Sequence, residues 1–115
     1  MQDLSELMDD AAGELAIGEI ESAAAKYKAA TQLAPDHFPA WHALGMCLMR
    51  SGDLKAALGA ALMATDLAPN DLLAWTSLSQ IHVKMGNIPE AEAAKGNARI
   101  LSLGGRVNRD AAPGQ

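Results

Sequence analysis

The residues of this chain that could carry out chemistry are few, and their spacing does not bring reactive groups together. Its three histidines are His37, His42 and His82, and none has a carboxylate or thiol at the spacing of a catalytic dyad. Cys47 is the single cysteine, and it has no cysteine or histidine partner at metal-ligand spacing. The pattern therefore favours a non-enzymatic protein in which Cys47 is a small buried apolar residue.

One set of soft donors does share a helical face. His42, Met46 and Met49 are spaced i, i+4 and i+7, so an imidazole and two thioethers lie on one side of a helix. Such donors could hold a soft metal, but periodic methionines more often form apolar packing or binding surface. Gly104 and Gly105 follow a predicted helix and are not a phosphate-binding turn. We expect no metal and no cofactor.

Composition indicates one small helical domain. The chain has 115 residues, and half of them are apolar, which suits a single core. Alanine is the commonest residue and aromatic residues are scarce. Strong helix formers therefore dominate, and small side chains allow helices to approach one another closely.

Charge and hydropathy restrict the location and the partners. The net charge is −5, and basic residues are not interleaved with aromatics, which argues against a nucleic-acid partner. No stretch approaches the roughly 20 apolar residues of a membrane span, so we expect no membrane insertion. The first residues are acidic and unlike a secretory signal. A lone cysteine suits a reducing compartment, so we expect a cytoplasmic protein.

The strongest pattern is a repeat with a period of 34 residues. Gly18, Gly52 and Gly86 stand at this spacing, as do Trp41 and Trp75. The residues that also recur in register are Ala23, Ala57 and Ala91; Ala30, Ala64 and Ala98; Leu33, Leu67 and Leu101; and Pro35 and Pro69. This period is typical of a stacked helical solenoid, in which each unit buries its apolar face only against its neighbours.

The second repeat carries the residues that identify the pattern, which are Trp41, Leu44, Gly45, Gly52, Ala57, Ala64 and Pro69. Their spacing resembles the tetratricopeptide signature of W-x2-L-G, then Ala, then Pro. The resemblance implies an all-α, right-handed α-solenoid of three helix-turn-helix repeats and six helices. The repeats span about residues 4–37, 38–71 and 72–104 within a domain of residues 1–104, and residues 105–115 are expected to form a polar, disordered tail.

Turn and capping signals predict where the helices begin and end. We expect helices over about residues 4–16, 20–33, 38–51, 54–67, 72–84 and 88–103. Asp3, Asp53 and Asn87 are the expected N-caps, and Pro39 suits a first helical turn. The repeat phase also predicts that the two tryptophans are buried equivalents in the core of the helix pairs.

The resemblance implies a binding surface as well. In tetratricopeptide folds the first helix of each repeat lines an inner, concave face. The matching residues, predicted here to bind a peptide, are Met8, Ala12, Leu15, His42, Met46, Met49, Arg50, Thr76, Gln80, Val83 and Lys84. The three methionines favour an adaptable apolar surface, so we expect an apolar helix or extended peptide as the partner. The alternatives are that the methionines fill the core, or that the tail or a second copy covers the face.

One well-known use of the family is excluded by the residues present. The clamp that holds the C-terminal carboxylate of chaperone peptides needs Lys, Asn and Arg side chains. The matching positions in this chain are Met8, Ala12, Ala43, Leu73 and Ser77. We therefore expect a ligand of a different kind.

The two ends of the repeat array carry opposite charge. The first 21 residues hold seven acids and no Lys or Arg, whereas residues 95–109 hold four bases and no acid. Terminal repeats need polar outer faces, so we favour the end-capping of a three-repeat array. The alternative is a weak homo-oligomer formed head to tail, which salt would screen.

Taken together, these features predict a non-enzymatic protein–protein interaction module that acts as an adaptor, assembly factor or chaperone. The alternative is a structural subunit of a larger complex or a self-associating scaffold. A less favoured third interpretation is a catalytic accessory whose partner supplies the chemistry.

Overall fold

The computed structural model describes residues 2–107, which form six α-helices and no strand. The helices are α1 Leu4–Ala16, α2 Ile20–Leu33, α3 Phe38–Ser51, α4 Leu54–Leu67, α5 Leu72–Met85 and α6 Ile88–Ser102. Their bounds agree with the predicted ones to within one residue. The all-α solenoid of helix-turn-helix repeats is therefore confirmed for the described part of the chain.

Aspartate side chains start two of the helices as expected. Asp3 Oδ1 accepts a hydrogen bond from the backbone N–H of Glu6 at 2.8 Å, at the start of α1. Asp53 Oδ1 accepts one from the N–H of Ala56 at 3.3 Å, at the start of α4. Pro39 lies in the first turn of α3, where its missing N–H has no intrahelical partner to lose. The two carboxylates satisfy N–H groups that a helix start leaves unpaired.

Asn87 occupies the N-cap position of α6, as expected, but the expected side-chain capping interaction is absent. The side chain of Asn87 makes no capping hydrogen bond. Its amide nitrogen lies instead 3.3 Å from Nδ1 of His82, in the last turn of α5. His82 is buried, and a buried ring nitrogen without a partner costs free energy. The Asn87 side chain therefore pairs with the imidazole of His82 and not with the backbone N–H groups at the start of α6.

The turns within the repeats require glycine. Gly18, Gly52 and Gly86 have φ angles of 87°, 91° and 81°, in the left-handed region that side chains disfavour. Gly52 and Gly86 are the C-caps of α3 and α5, where this conformation ends the helix. The backbone requirement explains why glycine marks the 34-residue period so regularly.

Each helix packs on the next one in the chain. The pairs α1–α2, α3–α4 and α5–α6 pack within repeats, α2–α3 and α4–α5 pack between repeats, and α3 also contacts α5. At Gly45, α3 approaches α4 so closely that an added Cβ would lie 3.5 Å from the backbone nitrogen of Ala61. This neighbour-to-neighbour stacking is what defines a solenoid.

The core consists of two clusters built largely from alanine. The first contains Ala11, Ala23, Ala24, Tyr27, Leu44, Cys47 and Ala60. The second contains Ala57, Ala61, Trp75, Leu78, Ile81, Ala94 and Ala98. Leu48 packs against both clusters and joins them. Cys47 is fully buried as expected, and this burial raises the pKa of its thiol.

The two tryptophans differ in burial, contrary to expectation. Trp75 is 5% exposed, whereas Trp41 is only partly buried. Each indole N–H donates to the carbonyl oxygen of the proline before its helix, Pro35 for Trp41 and Pro69 for Trp75, at 2.8 Å in both cases. Since these hydrogen bonds are equivalent, the difference in burial comes from the neighbouring side chains.

Residues 105–107 are not the start of a free tail. The N–H of Gly105 donates to the carbonyl of Ile100 at 2.9 Å, and the N–H of Val107 donates to Oδ1 of Asn70 at 2.8 Å. Val107 also packs against the second core cluster. Residues 105–107 therefore lie against the repeats, and residues 108–115 of the predicted tail lie outside the described part of the chain.

The unequal burial generates a prediction about stability. Trp75→Ala should lower the free energy of unfolding by about 3–5 kcal/mol, because it removes a large buried side chain. Trp41→Ala should cost less, about 2–3 kcal/mol, because water already reaches part of its ring. Urea denaturation of both variants beside the parent measures the two losses. Equal losses would contradict the assigned difference in burial.

Candidate functional site

A short chain of polar contacts joins the first helices of the second and third repeats. The hydroxyl of Ser77 on α5 donates to Sδ of Met46 on α3 at 3.2 Å, and Nε2 of His42 lies 3.1 Å from the same hydroxyl. With its proton directed at sulfur, the hydroxyl oxygen accepts from Nε2–H. The ring of Phe38 stacks on His42 with centroids 5.6 Å apart. We call these four residues the inner seam.

The inner seam engages two of the predicted peptide-binding residues, His42 and Met46, within the protein itself. Both remain partly exposed. They therefore hold α3 against α5 and still present part of their surface to a partner.

Three further predicted binding residues pack mainly inward. Met8 and Leu15 on α1 contact the first core cluster, and Met49 on α3 contacts the second. All three are partly buried. Their thioether and aliphatic groups contribute to the core, which is the alternative role that periodic apolar residues commonly have.

The remaining predicted residues lie at the surface. Ala12, Arg50, Gln80, Val83 and Lys84 are exposed. Thr76 is partly buried, and its hydroxyl donates to the carbonyl of Leu72 at 2.9 Å. Four of the eleven predicted residues thus fall on α5, and these form one stripe.

The α5 stripe is apolar at both ends. Leu73, near the start of α5, is 62% exposed, and Val83, near its end, is 56% exposed. Thr76, Gln80 and Lys84 complete the stripe at helical spacing. Together with the inner seam, the stripe presents two large apolar side chains that the protein does not cover, on the surface that the sequence predicts to be the inner face.

A groove lined by residues of α2, α3 and α4 was not predicted. It has a volume of about 520 Å³ and runs between α2 and α4, with side chains of α3 at its floor. We call it the outer groove, and its lining residues are Ala24, Ala25, Lys28, Thr31, Gln32, Trp41, Leu44, Leu48, Asp53, Ala56, Gly59 and Ala60. Such a volume is within the usual range for ligand sites, about 300–1,000 Å³.

The sequence does contain a signal for the outer groove. Ala24 and Lys28 on α2 correspond, 34 residues later, to Leu58 and Leu62 on α4. Small or charged residues stand in one repeat where leucines stand in the next. Comparing the repeats position by position for side-chain size, and not only for identity, would have indicated an open groove on the first.

The acidic end of the array is partly neutralised within its own repeat. Glu14 Oε1 on α1 lies 2.6 Å from the ammonium nitrogen of Lys26 on α2, and its other oxygen accepts from the hydroxyl of Ser22 at 2.9 Å. The Lys26 hydrogen bond, and then that of Ser22, lowers the pKa of Glu14 below its ordinary value. The same pair raises the pKa of Lys26.

The described residues contain no group of side chains that suggests a metal site and no helix that suggests a membrane span. Between residues 2 and 107, no three His, Cys, Asp or Glu side chains are grouped so that they could hold a metal ion. Likewise, no helix in this range is both long and apolar enough to cross a membrane.

The family of the chain follows from its repeats. The family model for the tetratricopeptide repeat matches residues 11–72, more than half of the sequence. The chain therefore belongs to the tetratricopeptide repeat family, as its motifs indicated. No curated protein sequence matches it.

Solved tetratricopeptide structures share the fold. The Yersinia enterocolitica type III secretion translocator chaperone SycD is 19% identical, with a TM-score of 0.82 over 87% of this chain and 76% of that chain. YrrB, a TPR protein with an unusual peptide-binding site, is 18% identical, with a TM-score of 0.85 over 90% of this chain and 53% of that one. This chain thus spans about half the length of YrrB.

A third structure is that of a complex. The second TPR of Spaghetti, bound to the HSP90 peptide SRMEEVD, is 16% identical, with a TM-score of 0.82 over 87% of this chain and 93% of that one. At these identities the likeness to all three establishes the fold alone.

The Glu14–Lys26 pair predicts a dependence of stability on pH. Because the pKa of Glu14 is lower in the folded state than in the unfolded state, the pair stabilises the fold above the unfolded pKa, about 4.3. This contribution is lost as the pH falls through the lower folded pKa. Thermal melts should therefore separate the parent from Glu14→Gln at pH 7 and bring the two closer near pH 3.

Lys26→Met is the matched control, because it removes the cation and leaves the carboxyl group in place. Its pH profile should resemble that of Glu14→Gln. A Lys26→Met variant that keeps the parent's full loss of stability on acidification would contradict the assignment.

Proposed function

We propose that this chain is a non-enzymatic protein-interaction module that holds an apolar helix or extended peptide against its inner face. The observation that carries the proposal is the α5 stripe, where Leu73 and Val83 remain more than half exposed beside the inner seam. The two side chains lie about 15 Å apart along α5, so a partner segment of a few helical turns would cover both. Binding would remove both from water.

The polar residues beside the stripe favour a partner that also carries negative charge. Lys84 on α5 and Arg50 on α3 are exposed. Exposed cations at the rim of a site mainly accelerate association and give it salt dependence, whereas the apolar centre supplies most of the affinity. A segment that is apolar at its centre and acidic at one edge fits this arrangement.

The structural neighbours support a peptide as the class of ligand. YrrB has a peptide-binding site, and the Spaghetti domain is bound to an HSP90 peptide. The residues that would form a carboxylate clamp are absent here, since Met8, Ala43 and Leu73 occupy clamp positions. We therefore place the recognised segment within a partner's chain and not at its carboxyl terminus.

The broader role that fits is an adaptor, assembly factor or chaperone in the cytoplasm. The chaperone SycD among the neighbours supports the last of these, and the buried free thiol of Cys47 suits a reducing compartment.

A second candidate is a self-associating scaffold, favoured by the opposite charges at the two ends. Glu6 and Asp10 on α1 are exposed, as are Lys95 and Arg99 on α6. Contacts between such ends would be weak and would fade with salt. Light scattering at low and high salt distinguishes this candidate from the first.

The test of the inner face uses a pair of exposed residues of similar size. Val83→Glu should abolish capture of a partner from a cell extract of the source organism, because it places a charge in the apolar contact. Ile17→Glu is the matched control, since Ile17 is 76% exposed at the end of α1, in the first repeat, whereas the stripe lies in the third. Capture is read by mass spectrometry, and circular dichroism verifies that both variants fold.

The outcome that would contradict the proposal is equal capture by Val83→Glu and the parent. Loss of capture in both variants would also contradict it, because binding would then not depend on the inner face. Glutamate at Met46 or Met49 is a less direct test. Met46 accepts a hydrogen bond from Ser77 and Met49 contacts the core, so either change would alter folding as well as binding.

A further inference from the structure

The outer groove has a counterpart one repeat later that is filled by the protein itself. Trp41 at its floor corresponds to Trp75, 34 residues on. Leu58 and Val107 both pack against the second core cluster, which contains Trp75, and Trp75 is 5% exposed. At the outer groove the residue that corresponds to Leu58 is Ala24, and Trp41 stays partly exposed. The comparison of the repeats thus indicates that aliphatic side chains, leucine among them, fill such a groove.

The way each indole is anchored to the backbone does not explain why Trp75 is more buried than Trp41. Both indoles donate to the equivalent proline carbonyl at 2.8 Å, so the rings are anchored alike. On the opposite wall, a Cβ added to Gly59 would meet nothing within 4 Å, so the space above α4 is open. The groove is therefore open because its walls carry small side chains.

Charge at the groove favours an acidic ligand. Lys28 on the α2 wall is exposed and forms no ion pair with any residue between 2 and 107. Asp53 is the only acid of the lining, and its carboxylate is engaged as the N-cap of α4. The lining thus offers a free cation and an anion that is already hydrogen-bonded.

We propose that the outer groove is a second docking surface, for a partner helix that inserts leucine-sized side chains one turn apart and places a carboxylate beside Lys28. The spacing follows Leu58 and Leu62, which stand at i and i+4 at the counterpart, where Leu58 packs against the core and Leu62 remains 40% exposed. A helix is favoured over a strand because alanine and glycine walls admit close helix approach, and helices commonly dock apolar faces into such grooves.

The basic end of a second copy of this chain fits the groove less well than an acidic helix does. Its exposed apolar pair at the end of α6, Ile100 and Leu103, is flanked by Arg99 and Arg106. Docking that pair would bring like charges to Lys28, which disfavours the contact. The proposed occupant is therefore a foreign acidic helix, which docks on residues outside the α5 stripe.

The test uses a synthetic helical peptide of about four turns, with leucines at i and i+4 and a glutamate one turn before the first. In ¹⁵N-labelled protein the two indole N–H signals report on the two repeats separately. The peptide should shift the Trp41 signal saturably below about 1 mM and leave the Trp75 signal in place. A matched peptide with alanine for both leucines should bind at least about tenfold more weakly.

Two variants locate the contact. Ala24→Leu fills the groove as Leu58 does in the counterpart, so it should weaken peptide binding at least about tenfold. Lys28→Glu changes only an exposed side chain, so it serves even if Ala24→Leu fails to fold. It should weaken binding of the original peptide and allow binding of a peptide that has lysine in place of the glutamate.

Val83→Glu on the inner face should leave the peptide-induced shift of the Trp41 signal unchanged, so failure at the outer groove is distinguishable from failure of the proposed function. No shift of the Trp41 signal up to about 1 mM peptide would overturn the proposal. Equal binding of the leucine and alanine peptides, or no effect of Lys28→Glu, would also overturn it. So would a Trp41 signal that changes with protein concentration alone, because a second copy would then occupy the groove.

Discussion

The close approach of helices is the constraint on which this structure depends. Most buried residues are alanines, and at Gly45 the backbone of α4 lies within van der Waals reach of α3. A helix pair with such small side chains buries little apolar area on its own, so it requires its neighbours. Few side chains are both large and buried, and the core therefore relies heavily on individual ones such as Trp75.

Two unlike surfaces result from the same repeated backbone. On the inner side, α3 and α5 meet through Ser77, which connects His42 and Met46 and leaves their outer surfaces available. On the outer side, small wall residues such as Ala24 line an open groove, whereas Leu58 and Val107 pack against the cluster that contains the equivalent tryptophan. Identical helix geometry thus supports two chemically different surfaces.

Local signals predicted the helices well and the candidate site only in part. Asp53 caps its helix because the carboxylate and the N–H groups that it serves are close in the sequence. Asn87 carries the same local signal, but the buried ring of His82 competes for its amide. Val83 was correctly expected at the surface, whereas Met49 proved to contact the core, since periodicity alone does not distinguish the two roles.

The sequence by itself determined the period, the turns and the helix bounds, because these depend on backbone conformation and on contacts a few residues apart. Only the tertiary structure decided which copies of a repeated residue are covered. The hydrogen bond from Val107 to Asn70 spans 37 residues, and that between His42 and Ser77 spans 35. Such contacts join different repeats, so a period of 34 residues shows that the positions are equivalent but not which partners surround each one. For the same reason Trp41 and Trp75 look alike in the sequence, and only the side chains that the fold packs around them separate their environments.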